Sequence, residues 1–362
     1  MPFDPSPADA APFVDPAQRV RIAVWLFALS GMIWVMVVLG GATRLTGSGL
    51  SIMEWAPISG VLPPLSHAEW QRLFRLYQAI PQFSLLHPDM HLAGFQGIFW
   101  LEWVHRLWGR LIGVFLLVPL VVFAWRGAIG WRLGLRLMLL FVLGGLQGAI
   151  GWFMVASGFR ADSIAVSADR LVAHLLLALA LYAGLLWTAL TVLRPARPRK
   201  PWRMLDRLLA ALAASLALTI AAGGLVAGLH AGLVYNSFPL MDGRLVPAGY
   251  AALSPWVRNL FENVAAVQFD HRLLATTTAL LAVTTAAWGL AGAASARPLR
   301  IGLAVLAGAV ALQYALGVAT LLDAVPVELA VLHQATAVLV LTAVLCCLHL
   351  ARRPGPNFWE FS

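Results

Sequence analysis

Apolar residues gather in eight long runs, near 22–40, 103–125, 132–154, 171–193, 206–228, 267–291, 300–322 and 329–350, and the segments between them carry nearly all the charge. A helix needs about 20 largely apolar residues to cross some 30 Å of hydrocarbon. The pattern therefore predicts eight transmembrane helices. Two connections are long, 41–101 and 229–266. Each follows an odd-numbered span, so both lie on one side.

The second half of the chain repeats the first. Gly40-Gly41 followed by Gly49-Leu50 matches Gly223-Gly224 followed by Gly232-Leu233 at the same spacing; His105-Arg106-Leu107 matches His271-Arg272-Leu273; Gln147 with Gly151 matches Gln313 with Gly317. His174 and His333 then follow near the start of each fourth span. Units of four spans have the same orientation, related by an axis along the membrane normal. The expected architecture is an all-α integral membrane protein whose eight transmembrane helices form two parallel-oriented four-helix bundle repeats. The expected divisions are a disordered tail over 1–18, a first repeat over 19–193, a basic linker over 194–205, a second repeat over 206–351 and a tail over 352–362.

Composition agrees with the pattern. With 60% hydrophobic and 11% charged residues, the chain lies far from the roughly 45–50% and 25% of a soluble domain. That excludes a soluble globular protein, a disordered chain and a nucleic-acid binder. The only cysteines, Cys346 and Cys347, are adjacent inside an apolar run and read as packing residues. The net charge of +9 is explained by position. Fifteen of the basic residues, from Arg19 and Arg21 through the 194–207 cluster to Arg352 and Arg353, fall on the side of the termini, and seven fall in the longer segments opposite. By the positive-inside rule both termini are cytoplasmic.

The polar residues left inside the spans carry the chemistry. Spans two, four, six and eight run inward, so His105, His174, His271 and His333 all sit near the outer face at similar depth. A single buried histidine can be a hydrogen-bonding contact between helices. Four at repeat-related positions point further, because two opposed imidazoles in a bundle are what a six-coordinate haem iron requires. Zinc or copper would gather three or four ligands, and neither pair has such a cluster. The halves differ at one position: Glu102 lies three residues before His105, where the other half has Gln268. Two roles fit Glu102: a base or water-orienting group beside the haem edge, or the ion-pair partner of Arg106 one turn on. Arg106 and Arg272 suit haem propionates, and equally suit lipid head groups reached by snorkelling.

Several segments resemble the haem A synthase family in its mitochondrial and proteobacterial branch. They are Gly40 to Ser51 (GGATRLTGSGLS), Glu54-Trp55, Pro57, Phe99 to Arg106 (FWLEWVHR), Ala231 to Gly243 (AGLVYNSFPLMDG) and Asp270-His271-Arg272. The likeness runs from about residue 20 to 350. It implies a bacterial inner-membrane enzyme that oxidises the C8 methyl of haem O to a formyl group by two successive hydroxylations, in haem A biosynthesis. It further implies haem b held by His271 and His333, substrate haem O served by His105 and His174, and Glu102 as the catalytic glutamate. Whether the oxygen enters at the metal or by water trapping a carbocation is not decided by residues. No ferredoxin-like or nucleotide-binding motif is present, so a separate electron partner, such as a ferredoxin, is implied, with haem O synthase as a further partner. Some bacterial relatives carry a cysteine pair in the outer loops; this chain has none there. Two other functions compete: a two-haem electron-transfer cytochrome, and a non-catalytic haem carrier.

Overall fold

The computed structural model describes residues 14–161, 163–194, 201–292 and 296–352. Eight long apolar helices dominate it. They are α1 (Arg19–Leu45), α4 (Leu92–Trp125), α5 (Trp131–Val155), α6 (Ala168–Leu193), α7 (Met204–Gly228), α9 (Val264–Ala291), α10 (Arg297–Leu322) and α11 (Val327–Arg352). Three shorter helices, α2 (His67–Gln78), α3 (Pro81–Leu86) and α8 (Asn259–Glu262), lie in the two long connections.

The contacts between helices fall into two groups. In the first half α1 packs against α4 and α6, and α5 against both of those; in the second α7 packs against α9 and α11, and α10 against both of those. The halves meet through α1 with α11, α6 with α7 and α6 with α11. A continuous apolar core crosses this seam, with Leu26, Leu29, Leu133, Leu137, Leu212 and Leu303 fully enclosed.

Helix breakers are accommodated by partners from neighbouring helices. Pro119 inside α4 has no N–H to pair with the carbonyl of Phe115 four residues back. The indole of Trp25 on α1 donates to that carbonyl at 2.8 Å. In hydrocarbon an unpaired carbonyl is costly, so the proline and the tryptophan form one unit.

Two boundaries differ from the sequence expectation. α4 begins at Leu92 instead of 103, because the first turns of the helix are covered by an aromatic cluster: Phe95 and Phe99 pack with Trp70, Leu73 and Tyr77 of α2 and with Ile80. The tail expected over 1–18 is ordered from Val14, which is 5% exposed and pairs with Ile129, while Asp15 N–H donates to the carbonyl of Ala128. An apolar valine beside the α4–α5 turn gains more by docking than by remaining in water. Residues 1–13, half of the basic linker at 195–200, and the tail from 353 lie outside the described residues.

Replacing Trp25 by Phe leaves the Phe115 carbonyl without its donor. The expected loss is about 1–3 kcal/mol, read as a lowered thermal midpoint of the detergent-solubilised protein. An unchanged midpoint would show that the indole bond contributes nothing.

Candidate functional site

Each of the four histidines lies against a glycine of the neighbouring helix. A Cβ on Gly40 of α1 would stand 3.2 Å from Nε2 of His105 on α4, and one on Gly151 of α5 would stand 2.9 Å from Cε1 of His174 on α6. In the second half a Cβ on Gly223 of α7 would stand 2.9 Å from Cε1 of His271 on α9, and one on Gly317 of α10 would stand 2.8 Å from Cε1 of His333 on α11. Contacts this short are rare or unknown for real Cβ atoms, so a larger residue would require the ring to shift, by a few tenths of an ångström at Gly40 and by more at the other three. The glycines that mark the repeat in sequence are thus the seats of the histidines. His105 is turned over relative to the other three: half a turn about χ2 exchanges its Nε2 for Cε1 and would reproduce their contact.

The two histidines of each half lie on helices of one packing group, His105 on α4 with His174 on α6, and His271 on α9 with His333 on α11. Their hydrogen bonds bear on ligation. Nδ1 of His271 stands 3.1 Å from the carbonyl of Thr219, which only accepts, so Nδ1 carries the proton and Nε2 keeps a free lone pair. The Gln147 amide donates to the carbonyl of His174 at 2.9 Å and stands 3.3 Å from its Nε2; the Gln313 amide stands 3.2 Å from Nδ1 of His333. Oε1 of both glutamines and Nδ1 of His174 are buried without a hydrogen-bond partner. Among the described residues no three His, Cys, Asp or Glu side chains gather as a metal cluster. Two imidazoles per half fit a group that brings four ligands of its own, and they fit a tetrahedral ion poorly.

One turn before His105 and His271 the two halves part. Glu102 is 2% exposed and accepts four hydrogen bonds: from Nε and Nη2 of Arg106 at 3.0 and 2.6 Å, from the Ser51 hydroxyl at 2.7 Å and from the Ile52 N–H at 2.9 Å. The ion pair that one reading of the sequence foresaw is therefore made. Gln268, equally buried, does the reverse: its amide donates to the carbonyls of Ala231 at 2.9 Å and Tyr235 at 3.4 Å. In the first half the loop presents donors, and a carboxylate meets them. In the second it presents carbonyls, and only a side chain with N–H groups can serve.

The arginines fasten these loops. Arg106 donates to the carbonyls of Ile52 at 2.8 Å and Glu54 at 2.9 Å, and Arg272 donates to those of Tyr235 at 2.7 Å and Ser237 at 2.8 Å. With its two bonds to Glu102, Arg106 uses four of its five N–H groups. Arg272 also reaches Oε1 of Gln268 at 3.3 Å, and its Nε is buried without a partner. Arg110 and Trp152, which the sequence reading did not single out, complete the first clamp. Arg110 donates to the carbonyls of Ala56 and Pro57, and Trp152 of α5 stacks on Trp55 with ring centres 6.1 Å apart. Farther out, Arg72 of α2 binds both Glu54 and Glu69 at 2.8 Å, and its hydrogen bonds hold both carboxyls below their ordinary range. This exposed tie is complete at neutral pH and is lost as pH falls through those lowered values. It contributes little to stability.

Comparison with known proteins places the chain. The family profile described as cytochrome oxidase assembly protein matches residues 23–345. A haem A synthase of Granulibacter bethesdensis is 59% identical over 345 residues, covering 94% of this chain and 91% of that protein. Haem A synthases of Methylobacterium sp. and Nitrosospira multiformis are 49% and 45% identical over 344 residues, covering 92% and 93% of this chain and 94% and 95% of those proteins.

Removing the guanidinium with Arg106→Leu strands a buried carboxylate and frees two loop carbonyls. The expected cost is about 3–5 kcal/mol, with limited proteolysis of the 52–62 segment several-fold faster. Unchanged proteolysis would show that Arg106 does not hold the loop.

Proposed function

The chain belongs to the haem A synthase family of cytochrome oxidase assembly proteins and is an oxidoreductase of haem A biosynthesis that oxidises haem O to haem A; we propose that its two halves divide that work. His271 and His333 hold a resident haem b, and His105 and His174 receive haem O beside Glu102. One observation carries this reading. Both halves offer a histidine pair seated on glycine, and a carboxylate is buried next to only one of them.

The side chains suit these roles. The carbonyl of Thr219 orients the His271 ring and leaves Nε2 for an axial bond. Haem held there would supply the redox chemistry, and the C8 methyl would become a formyl group through two hydroxylations and loss of water, a four-electron oxidation whose electrons, where water supplies the oxygen, would leave to a separate electron-transfer partner. Glu102 serves as the base or water-orienting group. Its oxygens accept four hydrogen bonds, and of these the Ser51 hydroxyl, at 2.7 Å, is the contact that can turn aside or relay when a water or substrate proton is to be taken. Arg272, with Nε unused, suits a haem propionate better than Arg106, whose N–H groups already serve the loop and Glu102. A separate protein such as a ferredoxin exchanges electrons with the enzyme, and haem O synthase delivers its substrate. The sorting of basic residues supports an inner-membrane orientation with both termini in the cytoplasm.

Haems extracted from the purified protein and resolved by mass test the division. Haem b together with haem O, its hydroxylated form or haem A is expected; haem b alone from cells that make haem O would overturn it. Glu102→Gln is expected to keep haem b and accumulate no haem A. Its amide would set N–H groups against the donors of Arg106 or Ser51, so it cannot reproduce the contacts of Gln268. Normal haem A from this variant would remove Glu102 from the chemistry. His271→Ala and His333→Ala are each expected to abolish the low-spin haem b spectrum, and an unchanged spectrum would refute the cofactor assignment.

A further inference from the structure

The two glycine pairs face two ways. Gly40 seats His105 of its own half, while its neighbour Gly41 faces the other half, where a Cβ would stand 2.5 Å from Oε1 of Gln334. Gln334 directly follows His333 on α11. Its amide donates at 2.8 Å to the carbonyl of Val37, which in an α-helix also serves the N–H of Gly41. One turn away the indole of Trp34 on α1 donates to the carbonyl of Ala335 at 3.0 Å. The repeat-related pair does the same in the opposite sense. Gly223 seats His271, and a Cβ on Gly224 would stand 2.9 Å from Val172 and 3.5 Å from Leu175, the residue that follows His174 on α6.

All four histidines are thereby joined in one frame across the seam between the halves. The two crossings differ in kind: Leu175 only packs, whereas Gln334 is hydrogen-bonded to the backbone that seats His105. We propose that Gln334 is a positioning residue that latches His333 to α1, so that occupancy of the His105–His174 site is transmitted to the haem b axial ligand. A shift of α1 or of the His105 ring on ligation moves the Gly40-Gly41 peptide, and the Gln334 amide follows it. Coupling between sites needs such an element, one whose position both sites bias. The inference rests on the assignment of haem b to His271 and His333.

The test uses the full-length protein purified from cells that make haem O and from cells that do not, with haem content checked by extraction. The readout is the midpoint potential of haem b. The wild type is expected to give different potentials in the two preparations. Gln334→Leu, which installs the residue of the matching position in the other half, is expected to give a single potential with haem b content unchanged. Gly41→Ala is expected to do the same by evicting the amide, and it decides the matter if Gln334→Leu fails to retain haem. Gly31→Ala, on the same helix with nothing within 4 Å of its Cβ, is expected to keep the wild-type difference. A wild-type potential indifferent to haem O overturns the coupling, as does the full difference persisting in Gln334→Leu and Gly41→Ala. So does its loss in Gly31→Ala. Wild-type protein that binds no haem b would overturn the underlying assignment as well.

Discussion

An imidazole can lie between two closely packed helices only where the facing helix gives up its side chain. That constraint organises this protein. Gly40, Gly151, Gly223 and Gly317 each leave room for one ring, and at all four a methyl group would fit only if the ring moved. The glycines weaken their helices as local formers. In a membrane the cost is tolerated, because the backbone hydrogen bonds of a helix have no competitor in lipid, and close approach of helices is itself favourable there.

Around these seats the two halves use one plan with opposite polarity. A loop turns back over the beginning of the second helix of each half, fastened by an arginine that follows the histidine. The group one turn earlier is then chosen by what the loop presents. Ser51 and Ile52 present hydrogens, so Glu102 accepts; Ala231 and Tyr235 present oxygens, so Gln268 donates. Glu102 is therefore the keystone of a folded loop, and the catalytic duty proposed for it is compatible with that because a hydroxyl is among its partners. The proposed division of labour calls for such a group on one side only, and of the two matching positions one holds a buried carboxylate, Glu102, and the other a buried amide, Gln268.

Much of this was legible in the chain. The eight runs could be read because crossing a bilayer imposes a length and a composition on each segment separately, with no need of a partner. The four histidines stood out because ionisable groups are scarce in such runs and because their spacing repeats between the halves. Where the reading stopped short, the cause was contact between distant segments. α4 extends back to Leu92 because α2 and α3 cover it, and Val14 is ordered because the α4–α5 turn receives it.

Sequence alone determined the membrane class, the charge asymmetry, the internal repeat, and the unmatched Glu102, since each is a property of residue type and spacing along one segment. Only the tertiary structure decided what Gly40 and Gly41 do, although both were visible as repeat markers. Successive residues on a helix point about 100° apart, so one glycine of the pair seats a ring in its own half while the next meets Gln334 in the other. Which neighbour stands in each of those directions depends on how eight helices pack, and no stretch of sequence contains that information.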